Sequence, residues 1–143
     1  MRLKIEHPKI VDCLQIKIIA IKCLPQDITS YVPFLHLIQS IFKENLVARM
    51  EKKVVGFIST LNVFSNETAL LLQFAVLPEY RGKGIGKGLM NNILRLLKRN
   101  GYKKVCLRVD VKNKKAIKLY ERIGFKKKKK IFFKRRFLME YTL

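Results

Sequence analysis

The chain runs to 143 residues, 49% of them hydrophobic, and its 31 basic against 10 acidic side chains leave a formal net charge of +21. That length is expected to make one domain, residues 1–143, with a core large enough to stand without disulfides or metal. No stretch of about eighteen residues escapes charge, which excludes a membrane-spanning helix, and Asp12, Lys17 and Lys22 break the apolar run at 10–24, which excludes a signal-peptide core. The expectation is a cytoplasmic protein that does not enter membranes.

Residues 2–6 alternate, with Leu3 and Ile5 on one side, and read as a short first strand that His7 and Pro8 end. Apolar residues at mixed helical spacing predict a helix over 9–24, stopped by Pro25. Phe34, Leu35, Ile38, Ile41 and Phe42 predict a second over 34–43, opened by Pro33, on what would be the substrate side. Residues 45–50 and 54–61 predict a hairpin turning at Glu51, Lys52 and Lys53, with Gly56 marking a bulge or a close backbone approach.

Residues 70–77 are apolar but for Gln73, the pattern of a strand buried on both faces, and Pro78 ends it. A turn dense in glycine follows (Gly82, Gly84, Gly86, Gly88), and Ile85, Leu89, Ile93, Leu96 and Leu97 recur as in an amphipathic helix that Gly101 closes. Residues 105–111 alternate as a fifth strand, expected to lie parallel to the fourth through a right-handed crossover. Asn113 suits the N-cap of a helix with Ala116, Ile117, Tyr120 and Ile123 inward and Gly124 at its end; residues 125–133 and 137–143 read as the last two strands. The sum is a mixed α/β domain with a central sheet of about seven strands and four helices.

The strand, glycine turn and helix at 70–100 suit a phosphate ligand. Glycine lets a ligand approach the backbone, and the first turn of a helix offers unpaired N–H groups and the positive end of its dipole. The spacing fails a Walker A loop, since Lys87 and Gly88 come in the wrong order, and fails a dinucleotide GxGxxG, whose third glycine would be Leu89. Arg81-x-x-Gly84-x-Gly86 after Val-Leu-Pro-Glu-Tyr resembles instead the acetyl-CoA motif of the GCN5-related N-acetyltransferases (GNAT). Asn113, Ala116, Tyr120, Gly124 and Phe125 resemble that family's second signature, and the likeness extends from Met50 onward, toward relatives that acetylate protein N-termini and ribosomal-protein alanines.

The resemblance implies the GNAT acyl-CoA N-acyltransferase fold. It implies acetyl-CoA as co-substrate, no metal, and direct transfer of acetyl to a primary amine, at a protein N-terminus or on a small molecule. The backbone of Phe74, Ala75 and Val76 would pair with the pantetheine arm like an added strand. Arg81, Gly82, Lys83, Gly84, Ile85, Gly86 and Lys87 would hold the pyrophosphate. Asn113 would contact the cofactor or serve only as a cap. Tyr120, with an ordinary pKa of about 10, would protonate the departing thiolate unless it is core. Several relatives carry a glutamate base where this chain has Arg108, and a cation cannot take a proton. Glu79 reads as a turn residue, and Asp110, Glu51 and His36 could act only through water. Lacking a base favours an α-amine, whose pKa is near 8, over lysine near 10.4.

Other readings stay open. Cys13, Cys23 and Cys106 form no CxxC and, with His7 and His36, build neither a zinc site nor a supported nucleophile. Eighteen of the basic residues but only two acids lie between Lys98 and Arg136, a field that would steer a nucleic acid or an acidic partner, or else a solvated surface; Lys126 to Lys130 suit a strand edge made repulsive. A basic RNA-, ribosome- or protein-binding module of the same fold is therefore the alternative, with an Asp110-based dinucleotide oxidoreductase behind it. Pairing of the last strands between two copies would make a homodimer.

Overall fold

The computed structural model describes residues 2–24, 44–65, 67–131 and 135–143. Seven strands and three α-helices lie among them: β1 (Leu3–Glu6), α1 (Cys13–Cys23), β2 (Asn45–Met50), β3 (Lys53–Ser65), β4 (Thr68–Val76), α2 (Ile85–Arg99), β5 (Lys104–Asp110), α3 (Lys114–Ile123), β6 (Lys126–Ile131) and β7 (Arg136–Thr142). The helix expected over 34–43 falls outside the described residues, as does the far end of the sixth strand. The strands form one sheet in the order β1-β2-β3-β4-β5-β7-β6. The described residues group into two compact units, one from Met1–Ser59 with Gln73–Ile93, the other from Thr60–Leu72 with Leu94–Leu143.

In the first unit β1 and β3 flank β2, both antiparallel to it. Glu51 takes the hairpin corner at φ 55°, and the ladder slips between Ala48 and Arg49, so that Val55 is the extra residue of a bulge beside Gly56. Both expectations for Gly56 hold. A Cβ there would lie 2.9 Å from the Ala75 carbonyl and 3.1 Å from Val76 Cγ2, so only glycine lets the backbones approach. Ile16, Ile19 and Ala20 of α1 pack on Val47, Val54, Phe57, Ala75 and Leu77. The helix start is held by charge: Arg49 reaches Asp12 and Glu6 at 2.7 Å each, and Asp12, only 1% exposed, also accepts from the Lys9 amide.

In the second unit β4 and β5 run parallel, as expected, from Thr68 opposite Lys104 to Leu71 opposite Leu107. β7 enters antiparallel between β5 and β6. α3 turns Ile117 and Tyr120 inward and ends at Gly124, whose φ of 118° few other residues adopt. The strand expected to be buried on both faces departs from that pattern. Ala69, Leu71, Gln73 and Ala75 are buried, whereas Leu72 is 37% exposed and Leu70 and Phe74 are half-buried.

Candidate functional site

The first unit assembles the strand end, the turn and the helix start. Ala75 turns its carbonyl toward Gly56 of β3, and the Leu77 amide donates to the Val55 carbonyl at 2.9 Å. Main-chain groups alternate along a strand, so those of Phe74 and Val76 point to the opposite edge. On that edge the ladder with β5 runs, among the described residues, from Thr68 to Leu71. Arg81, expected at the pyrophosphate, spends its Nε on the Val76 carbonyl at 2.8 Å, and the Cys23 thiol approaches the same oxygen at 3.8 Å. Arg81 therefore clamps the turn to the strand end; this tie joins residues five apart through a side chain that sequence pattern does not orient.

Pro78–Tyr80 forms one 3₁₀ turn, and Gly82 and Gly84 follow with φ of +74° and +78°. Among the described residues, chain neighbours aside, nothing lies within 4 Å of where a Cβ at either would sit, so these glycines are required by conformation and leave room in front of the backbone. Gly86 packs closely instead, its would-be Cβ 3.1 Å from the Phe74 ring. The Gly88 amide makes the first helical bond, to Gly84 at 2.9 Å, so the N–H groups of Ile85, Gly86 and Lys87 at the start of α2 have no acceptor within the helix. With the exposed cations Arg81, Lys83 and Lys87 beside them, the turn fits a diphosphate by shape, donors and charge.

Glu79 does not qualify as a base. It is exposed on the 3₁₀ turn, and a hydrogen bond from its own backbone, helped by Lys22 and Lys53 at 3.6 and 4.0 Å, holds its carboxyl below the usual range. Glu6 is lowered too, chiefly by its hydrogen bond from Arg49. Asp110 accepts from the Lys112 amide, as a turn residue does.

The other two expected site residues stand on α3, in the second unit. Asn113 is its N-cap, Oδ1 accepting from the Ala116 amide at 3.2 Å. Tyr120 is 8% exposed, with its ring 5.8 Å from that of Phe125, which in turn lies 5.3 Å from Tyr141. Burial pushes its hydroxyl up to about 12, above the ordinary value expected, because phenolate is poorly solvated there. It keeps its proton at any working pH. Arg108 is exposed on β5, opposite Leu138. Sequence reasoning passed over Gln73, which is 3% exposed and whose amide oxygen and nitrogen, like the Ser59 hydroxyl, find no hydrogen-bond partner among the described residues. The sole signal was a polar residue in an apolar run.

The model of the Acetyltransferase (GNAT) family matches residues 18–125. An uncharacterised N-acetyltransferase of Methanocaldococcus jannaschii is 37% identical over 87 residues, which is 57% of this chain and 38% of that protein. The chain spans about two fifths of the length of the curated relatives it matches. Among solved structures, the PaiA N-acetyltransferase of Thermoplasma acidophilum in complex with coenzyme A aligns over 100% of both chains at a TM-score of 0.85 and 21% identity. The ribosomal-protein-S18-alanine N-acetyltransferase of Escherichia coli aligns over 99% of this chain and 94% of its own at 0.80 and 21%. These two likenesses establish the fold.

Proposed function

Because the chain belongs to the acetyltransferase (GNAT) family, we propose that it is an acetyl-CoA-dependent N-acetyltransferase acting on a primary amine, with the α-amine of a protein N-terminus as the favoured acceptor and the cytoplasm as its place of work. The observation that carries this reading is the open left-handed turn at Gly82 and Gly84 leading into α2, directly after the clamped end of β4. Acetyl-CoA supplies an acetyl group activated as a thioester. The amides of Ile85, Gly86 and Lys87 and the cations around them bind the diphosphate. The outward Val76 N–H pairs with a pantetheine carbonyl, the Val76 carbonyl being held already by the Arg81 Nε and the Cys23 thiol. Tyr120, always protonated, donates a hydrogen bond toward the sulfur; a thiol pKa about 3.5 units below its own favours donation over complete transfer.

The acceptor preference follows from charge. Among the described residues, the two carboxylates whose pKa moves, Glu6 and Glu79, move down, so neither is suited to take a proton at neutral pH. An amine that arrives neutral needs no strong base. About one α-amine in ten is neutral at pH 7, against about one lysine in 2,500. Mass spectrometry of acetyl transfer to peptides with free and blocked N-termini, polyamines and aminoglycosides tests this. Acetylation of the free N-termini is expected, and transfer to lysine on the blocked peptides alone would overturn the preference.

A second reading has its own observation: every lysine from Lys126 to Lys130 is exposed on the edge strand β6. That strand would suit an RNA or ribosomal partner, and binding through it would fall steeply with salt.

A further inference from the structure

α1 and the 3₁₀ turn that leads into it are apolar on two opposite sides. One side, Ile16, Ile19 and Ala20, is core, whereas Ile10, Val11, Leu14, Ile18 and Ile21 are 70%, 77%, 67%, 54% and 53% exposed. Ile10 and Val11 belong to the 3₁₀ turn, and Leu14, Ile18 and Ile21 lie on α1, where about 100° per residue puts them in an arc of roughly 60° opposite the buried side. Lys17 and Lys22 stand at its two edges. Asp12, the one acid on the helix and its leading turn, is buried against Arg49. Scattered exposed apolar side chains are ordinary, but five adjacent large ones in twelve residues are not.

We propose that this face docks an amphipathic helix of a partner protein whose apolar seam is bordered by acidic residues. Val11, Leu14, Ile18 and Ile21 fall at spacings of three, four and three, the a and d positions of two heptads, with β-branched residues at both a positions. In that register Lys17 is a g position and Lys22 an e position, where the charge selects the partner. Lys22 also lies 3.6 Å from Glu79, an exposed pair weak enough to exchange. A second copy of this chain would oppose lysine to lysine across the seam and carry the same +21. The arc lacks the aromatic residues that interfacial membrane helices favour.

The test uses the whole protein and two synthetic three-heptad peptides with Ile at a and Leu at d, one with Glu and the other with Lys at e and g. Binding is measured by fluorescence anisotropy. The Glu peptide should bind at least about tenfold more tightly than the Lys peptide. Leu14→Ser with Ile18→Ser, both solvent-facing, should weaken it about tenfold or more with the melting temperature kept. Lys17→Glu should narrow or reverse the preference between the peptides. Equal binding of both peptides, or of neither up to about a millimolar, overturns the proposal. So does wild-type protein that sediments with phosphatidylglycerol vesicles, or self-associates, in a way the double serine variant abolishes.

Discussion

Replacing Gly84 by glutamate separates the two things that this residue is held to do. At φ +78° any side chain is strained by about 1–2 kcal/mol, which for a chain of this size lowers the melting temperature by about 3–8 °C. No further clash is expected, because no described residue beyond the chain neighbours lies within 4 Å of the Cβ position. A carboxylate there would face the bound diphosphate. One like-charge pair near 4 Å costs about 1–4 kcal/mol between bulk-water and protein-surface screening, a loss in affinity of roughly fivefold to a thousandfold. Gly84→Gln carries the same bulk and strain without the charge. Calorimetric titration with coenzyme A should therefore rank wild type above Gln and Gln above Glu, with the gap between the variants shrinking as salt rises. Glutamine and glutamate variants that bind coenzyme A equally, or as well as wild type, would refute the placement of the diphosphate at this turn.

Tyr120→Phe is expected to lower kcat by about a hundredfold with little change in the KM for acetyl-CoA. Since burial holds the hydroxyl at about 12, the wild-type rate should show no fall attributable to this group as pH rises to about 11; a descending limb near 10 that the phenylalanine variant lacks would contradict the buried donor. Gln73→Met replaces an unpartnered buried amide by a chain of similar shape, and should raise stability by about 1–3 kcal/mol in thermal melts. A lower melting temperature would mean that the amide is bonded.

Local chemistry was legible in the sequence wherever it is punctuated by proline, glycine or a capping side chain. Pro78 and the glycines marked the strand, turn and helix, Asn113 announced its cap, and Gly56 signalled both the bulge and the close approach. Long-range effects were not. Periodicity found α1 apolar at mixed spacing but could not say which side is core, because Arg49, 37 positions from Asp12, anchors the turn that leads into it. The place of β7 between β5 and β6 is a choice among pairings that local pattern leaves equal. The raised hydroxyl of Tyr120 depends on burial, and the clamp of Arg81 on the Val76 carbonyl depends on a side-chain direction. Leu72 is exposed although its run of neighbours reads as fully buried, since composition does not reveal which face lacks a covering element.

The central claim is that the main-chain amides of this turn, with the cations beside them, hold the diphosphate. The measurement that addresses it most directly is a two-dimensional nitrogen–proton spectrum of isotope-labelled protein titrated with coenzyme A. The account predicts that the largest amide shifts fall on Gly82, Gly84, Ile85, Gly86 and Lys87 and saturate together. Shifts confined to the basic stretch from Lys98 to Arg136, with the amides of the turn unmoved, would contradict it.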